Sequence, residues 1–333
     1  MKAAVFTGEP GLSLQERPCP QAGPGQGLIR VRYAGICGSD LYICSGRNPR
    51  VKPPVVPGHE FVGEIVEADS PELKAGDRVA VEPLLACGRC SACRRGAYHV
   101  CRELRLLGVQ VDGGFAEYVV APLDRIVKLP DGLSLEHAVL TEPLAVAIHG
   151  LRQATLELGD RVVVLGGGPV GILLAQAARL AGARVMVSEV NPHRREVAAQ
   201  MGFTVIDGGG DPVAEVLALT DGEGADVVYE AAGAEATAAQ MAQMTRIKGQ
   251  IVVVGVYKDL APVDLLQISF REQTLRGSRV YNYQDFQRAI ELLAQGQIDV
   301  DRTVTHVFPL DQVQEAMAAA AGDVDGVKVV LQV

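Results

Sequence analysis

The run RVVVLGGGPVGILLAQAARLAGARVMVSEV, residues 161–190, decides the fold. RVVVL and ARVMVSEV are compact apolar runs, and VGILLAQAARLAG between them repeats apolar residues at helical spacing. Strand, helix and strand in that order make a βαβ unit with two parallel strands. Unbroken Val and Ile runs suit strands covered by helices on both faces. The turn into the helix reads GGGPVG, residues 166–171, and fits G-x-G-x-x-G. Glycines there permit a tight turn and let backbone amides and the positive helix end approach a diphosphate. Gly166, Gly168, Pro169, Val170 and Gly171 are therefore candidate dinucleotide contacts, and Glu189 is the acidic residue expected at the end of the next strand. A carboxylate there accepts hydrogen bonds from the adenosine ribose and repels a 2'-phosphate, so NAD is expected over NADP. Arg194 and Arg195 either reach a phosphate or occupy the exposed first turn of the following helix; Arg194 is kept as a candidate cofactor contact.

Outward from this unit the same texture continues. TVIDG, ADVVYEAAG, GQIVVVGVY and TLRGSRVY extend the parallel sheet, giving a doubly wound α/β domain over residues 151–289. Upstream, GLIRVRYAGI, FVGEIVEA, DRVAVEP and FAEYVVAP are short β-type runs punctuated by Gly and Pro, which predicts an irregular β-rich domain. From residue 290 a strand-like VTHVFPL, a helix and GVKVVLQV form a tail expected to pack back on residues 1–150. The sheet domain would then be an insertion.

A length of 333 residues suits two domains, and 48% hydrophobic with 21% charged residues is globular composition. A net charge of -9 and a scarcity of aromatics, 5%, argue against a nucleic-acid partner. MKAAVFTGEPGL does not read as a secretory signal, so a cytoplasmic location is expected. No charge-free run is long enough for a membrane span, so a soluble protein is expected.

The cysteines point to metal. CGRCSACRRGAYHVC, residues 87–101, holds four of seven cysteines, Cys87, Cys90, Cys93 and Cys101. In a reducing compartment four thiolates at this density close tetrahedrally around one zinc, leaving no position for substrate. The arginines of this segment read as a solvated loop. Two further motifs, CGSD with Cys37 and GHE with His59, offer a thiolate and an imidazole suited to a zinc with an open position. Cys19 and Cys44 read as packing or surface residues.

GICGSD, PGHEFVGEIVE, GDRVAVEP, the four-cysteine lobe, GGFAEYVVAP, TEPLAVAIHG and GGGPVG occur in the order seen in zinc-dependent medium-chain dehydrogenases. The chain resembles their polyol and threonine dehydrogenase branch over nearly its whole length. The resemblance implies an α/β protein with a GroES-like β-barrel catalytic domain, built from residues 1–150 and 290–333, and an inserted Rossmann domain. It implies Cys37, His59 and Glu60 around a catalytic zinc, Glu142 as an exchangeable ligand, and Ser39 as the group that takes the hydroxyl proton. Two zinc ions per chain, NAD and a homotetramer or homodimer follow from it.

The expected reaction is oxidation of a secondary alcohol of a polyol, sugar or sugar acid, with zinc as Lewis acid. The substrate is expected in a cleft between the domains. An L-threonine 3-dehydrogenase or a small diol dehydrogenase is the alternative within the class. A zinc-stabilised nucleotide-binding protein without chemistry is the alternative outside it. Relatives commonly carry histidine five positions after the zinc cysteine, where this chain has Tyr42, which lowers the case for threonine. The phenol either packs against the barrel, which is the expectation, or hydrogen-bonds a polyol.

Overall fold

The computed structural model describes residues 1–323 and 326–333; residues 324–325, inside the 290–333 tail, lie outside the described residues. Two compact units divide the chain. One comprises Met1–Glu142, Asn282–Gly296 and Val304–Val333, and the other Pro143–Tyr281 and Gln297–Thr303. The elements that position the site begin with β1 (Gln26–Gly35), α1 (Gly38–Cys44), β2 (Glu60–Ala68), β3 (Arg78–Val81), β4 (Tyr118–Pro122), β5 (Ile126–Lys128) and α2 (Thr141–Leu151). They continue with β6 (Arg161–Leu165), α3 (Pro169–Leu180), β7 (Arg184–Glu189), α4 (Pro192–Gln200), β8 (Thr204–Asp207), β9 (Ala225–Glu230), β10 (Thr245–Val253) and β11 (Thr274–Gly277). The tail adds β12 (Val304–Pro309) and β13 (Lys328–Gln332).

In the first unit a seven-stranded sheet runs β12-β13-β1-β2-β3-β5, with β4 also paired to β1. β1 is its centre because it has the length to pair on both sides. Its C-terminal end meets β13, Val330 opposite Gly35, and also β2, Glu60 opposite Gly35. A sequence-distant strand is thereby set beside the start of β2. Ile29, Val31, Phe61, Val79, Phe115 and Leu331 fill the core of this unit and are almost wholly buried. Burying such side chains contributes about 1.5–3 kcal/mol each and fixes the register.

The second unit is a six-stranded sheet in the order β8-β7-β6-β9-β10-β11, parallel throughout. The chain winds outward from β6 through β7 to β8 and then returns to the other side of β6 as β9. Strand order reverses between β6 and β9, and ligands bind doubly wound sheets outside the carboxyl ends of strands at such a point. Val162, Val163, Val164 and Leu165 are fully buried, as the unbroken apolar run requires. Only Thr274–Gly277 of TLRGSRVY is strand. The division between the units falls inside α2, ahead of residue 150. Buried Gln176 of α3 accepts from Asp299 N (2.7 Å) and donates to Thr303 Oγ1 (3.2 Å), which ties residues 297–303 to the second unit.

Candidate metal and cofactor sites

Cys37 is the residue that caps α1. Asp40, three positions on and fully buried, accepts a hydrogen bond from Cys37 N at 2.9 Å. The same carboxylate lies 3.4 Å from Gly58 N and 3.5 Å from His59 Nδ1. One acidic side chain thus fixes both the thiol-bearing turn and the imidazole. Burial favours the neutral ring of His59, but the neighbouring Asp40 charge outweighs it and raises its pKa well above the ordinary value. Asp40 faces Nδ1, so Nε2 is the nitrogen left to face Ser39, whose Oγ is 3.4 Å away. A carboxylate behind an imidazole is the usual way a ligating histidine is oriented.

Glu60 follows His59 as the first residue of β2 and is buried. Its carboxylate accepts from Lys328 Nζ on β13, and the same ammonium donates to Ile36 O at 2.9 Å. Both side chains are almost completely shielded, 1% and 2% exposed, so each charge depends on the other. Burial alone would lower the Lys328 pKa; Glu60, then Cys37 and Glu142, reverse that and raise it. Gly35 makes the pairing sterically feasible: a Cβ there would run into the Glu60 carboxylate and the end of Lys328.

Cys37, His59 and Glu60 each offer a ligand atom, all within 4.8 Å of one another. A soft thiolate, an imidazole and a carboxylate, two of the three residues buried, fit a zinc ion with an open position. Glu142, in the first turn of α2, is buried in the same unit and within electrostatic reach of Lys328, but stands outside that set of three.

In the four-cysteine lobe the thiols of Cys87, Cys90, Cys93 and Cys101 converge within the same limit. Cys90 Sγ is 3.5 Å from Cys93 Sγ and 3.9 Å from Cys101 Sγ. Ligands about 2.3 Å from a tetrahedral zinc stand about 3.8 Å apart, so the cage has the right size. Backbone amides are aimed at the sulfurs: Cys87 N and Glu103 N each lie 3.3 Å from Cys101 Sγ. Amides of Cys93 and Arg102 pull the Cys90 thiol down to about 6. By contrast, burial and then Asp40 push Cys44 up to about 12, so it is inert, and Cys19 is an exposed thiol.

The glycine turn sits between β6 and α3. Gly166 has φ +102°, and a Cβ on Gly171 would strike the Gly166 carbonyl, so both positions need glycine. Gly168 precedes α3, Pro169 opens it, and no side chain caps its first amides, which leaves donors for an anion. Val170 follows in the same first turn. Glu189 ends β7 as expected. Its Oε2 accepts from Gly167 N (2.7 Å) and its Oε1 from Asn191 N (2.8 Å), so it also braces the glycine turn. Each carboxylate oxygen retains a lone pair, as ribose recognition requires. Arg195 Nη1 donates to Glu189 O, Val190 O and Asp207 Oδ1, so this arginine holds the turn itself. Arg194 lies beside the glycine loop, its Nη1 3.9 Å from where a Gly168 Cβ would stand. These donors fit a dinucleotide.

Residues 23–131 match the alcohol dehydrogenase GroES-like domain, and residues 169–295 match the zinc-binding dehydrogenase domain. The chain belongs to the zinc-dependent medium-chain dehydrogenases. It is 36% identical, over 100% of its length and 98% of the relative, to 2-dehydro-3-deoxy-L-galactonate 5-dehydrogenase of Pseudoalteromonas atlantica. It is 39% identical to D-arabitol-phosphate dehydrogenase of Enterococcus avium, covering 89% of this chain and 87% of that one. A zinc-binding dehydrogenase of Sinorhizobium meliloti 1021, solved bound to NADP, superposes with a TM-score of 0.93 at 35% identity, covering 100% and 99% of the two chains. As a member of this family the protein is a nicotinamide-dependent alcohol dehydrogenase. Among its described residues no helix is long and apolar enough to cross a membrane.

Three residues of this medium-chain dehydrogenase site escape a reading of the sequence: Asp40, Gly35 and Lys328. Asp40 had a signal, since an acid three residues after a helix cap is the pattern of a reciprocal cap. Lys328 had none, because its partner lies 268 positions away.

Proposed function

We propose that the protein oxidises a secondary alcohol of a polyol, sugar or sugar acid to the ketone, with NAD as acceptor and two zinc ions per chain. The convergence of Cys37, His59 and Glu60, with two of the three buried, carries this reading. Bound zinc supplies Lewis-acid polarisation of the hydroxyl, and bound nicotinamide accepts hydride. The protein's own residues do the rest. Asp40 orients His59, and Lys328 holds Glu60 in place. Ser39, whose Oγ lies 3.4 Å from His59 Nε2, takes the hydroxyl proton while giving up its own towards the cofactor ribose and water. Glu142 serves as the exchangeable ligand. Cys87, Cys90, Cys93 and Cys101 hold the second zinc, which stabilises a lobe without a core of its own.

The relatives named for a deoxygalactonate and for arabitol phosphate support a polyhydroxylated substrate. Glu189 supports NAD, although the Sinorhizobium meliloti neighbour was solved with NADP. We also assign a cytoplasmic location and a homodimer or homotetramer. Support for assembly comes from the second unit, where β11 is an exposed sheet edge and Val256, Leu260, Leu265, Leu266 and Phe270 are all more than 60% exposed.

The test follows NADH formation by zinc-loaded protein across polyols, aldonates, sugar phosphates, simple diols and L-threonine. Turnover led by a polyhydroxylated compound supports the proposal. Turnover led by threonine or a simple diol replaces the substrate, and NADP outperforming NAD overturns the reading of Glu189.

A further inference from the structure

Between Asp40 and Glu60 the chain carries Arg47, Arg50 and Lys52 and no acidic side chain, in a protein with 40 acidic and 31 basic residues. All three cations are exposed, and among the described residues none of them is in an ion pair. Arg47 is nevertheless held in place. Its Nε donates to Ser45 Oγ at 3.2 Å, Ser45 Oγ donates to Tyr42 O at 2.9 Å, and the guanidinium lies 5.8 Å from the centre of the Tyr42 ring. Tyr42 is only half-buried, and its ring stands beside this cation. A guanidinium tethered through Nε and resting on an aromatic ring keeps its two terminal nitrogens as a preorganised fork for an outside acceptor.

The fork's position relates it to the metal donors. Tyr42 stands five residues beyond Cys37, about 7.5 Å along the helix. It shares a face with Ser39, three residues before it, and Ser39 touches His59. A substrate whose reacting hydroxyl sits at Ser39 and His59 and whose carbon chain follows α1 arrives beside Arg47 at its far end. A simple diol is too short to span this, and a neutral polyol offers the fork no charge.

We propose that Arg47, supported by the charges of Arg50 and Lys52, recognises a carboxylate or phosphate at the far end of the substrate, so that this enzyme acts on an anionic polyol derivative. The inference rests on the polyol dehydrogenase reading above. The dinucleotide's diphosphate offers the same chemistry, but it already has the open amides of α3.

The experiment compares zinc-loaded wild type, Arg47→Gln and Arg47→Lys. Each is given matched sets of a neutral polyol, its aldonate and its phosphate, sharing one carbon skeleton, with substrate and NAD varied in turn. Wild type should prefer an anionic member by at least tenfold in kcat/KM. Arg47→Gln should cut that preference at least tenfold, through the KM of the anion, and Arg47→Lys should fall between them. Melting temperatures, which should match because Arg47 is exposed, separate loss of recognition from loss of folding.

A preference for the neutral member, or a preference that Arg47→Gln leaves unmoved, overturns the inference and leaves the polyol reading standing. A rise in the KM for NAD on every substrate assigns Arg47 to the cofactor diphosphate and overturns it too. Failure of wild type to oxidise any member of the sets overturns the polyol reading and this inference with it.

Discussion

The site depends on charges that cannot be removed singly. In the metal-free protein Lys328→Met leaves Glu60 buried without its ammonium partner, which costs about 3–5 kcal/mol. The double change Glu60→Gln with Lys328→Met restores neutrality and should melt above the single variant; a double-mutant cycle of melting temperatures measures the coupling. A second pair in the other unit makes a pH prediction. Burial raises the Asp226 pKa, but Arg246 Nε at 2.5 Å and Arg161 N at 2.8 Å outweigh it and lower it below the ordinary carboxylate value. A depressed carboxylate stabilises the fold above its unfolded pKa, and the gain is lost as pH falls through the folded one. Asp226→Asn should therefore lower the melting temperature at pH 7, and the difference from wild type should shrink as pH falls below the ordinary carboxylate range. The metal donors were legible at this scale because Cys37 and His59 are metal-binding types in short motifs. Lys328 was not, because a lysine in a strand looks the same whether its partner is water or a distant glutamate.

Among elements, the βαβ unit was legible because period and composition agree along it: Val runs for covered strands, Ala and Leu at helical spacing, glycines where the turn requires them. Gly171→Ala forces a Cβ onto the Gly166 carbonyl and should raise the KM for NAD at least tenfold, as initial rates would measure. The extent of elements was less legible. The helix runs unbroken through TEPLAVAIHGL, because Pro143 is tolerated in a first helical turn, so it does not reveal the division between compact units that falls after Glu142. TLRGSRVY reads as one strand-like run, yet only its first four residues pair, because pairing ends where the neighbouring strand does. The cysteine lobe was legible from spacing alone. Cys93→Ser should lower metal content from about two zinc ions per chain to about one and open residues 87–101 to limited proteolysis.

For the molecule as a whole, the exposed apolar side chains of the second unit support the proposed oligomer. Replacing Leu266 and Phe270 together by Asp should shift the sedimentation coefficient to that of a monomer while the far-ultraviolet spectrum stays native. Composition gave no hint of this patch, since 48% hydrophobic residues fit a monomer and an oligomer equally well. The pairing of β13 with β1 also has a consequence in time. The ribosome makes Glu60 long before Lys328, with 268 positions between them. At about 5–20 residues per second that interval is roughly 10–50 s. Throughout it the nascent chain holds Gly35 without its β13 partner and Glu60 without Lys328, and the intervening sheet domain emerges and can fold first. The buried carboxylate among the metal donors of the first unit thus gains its ammonium partner only after the whole dinucleotide domain has been synthesised.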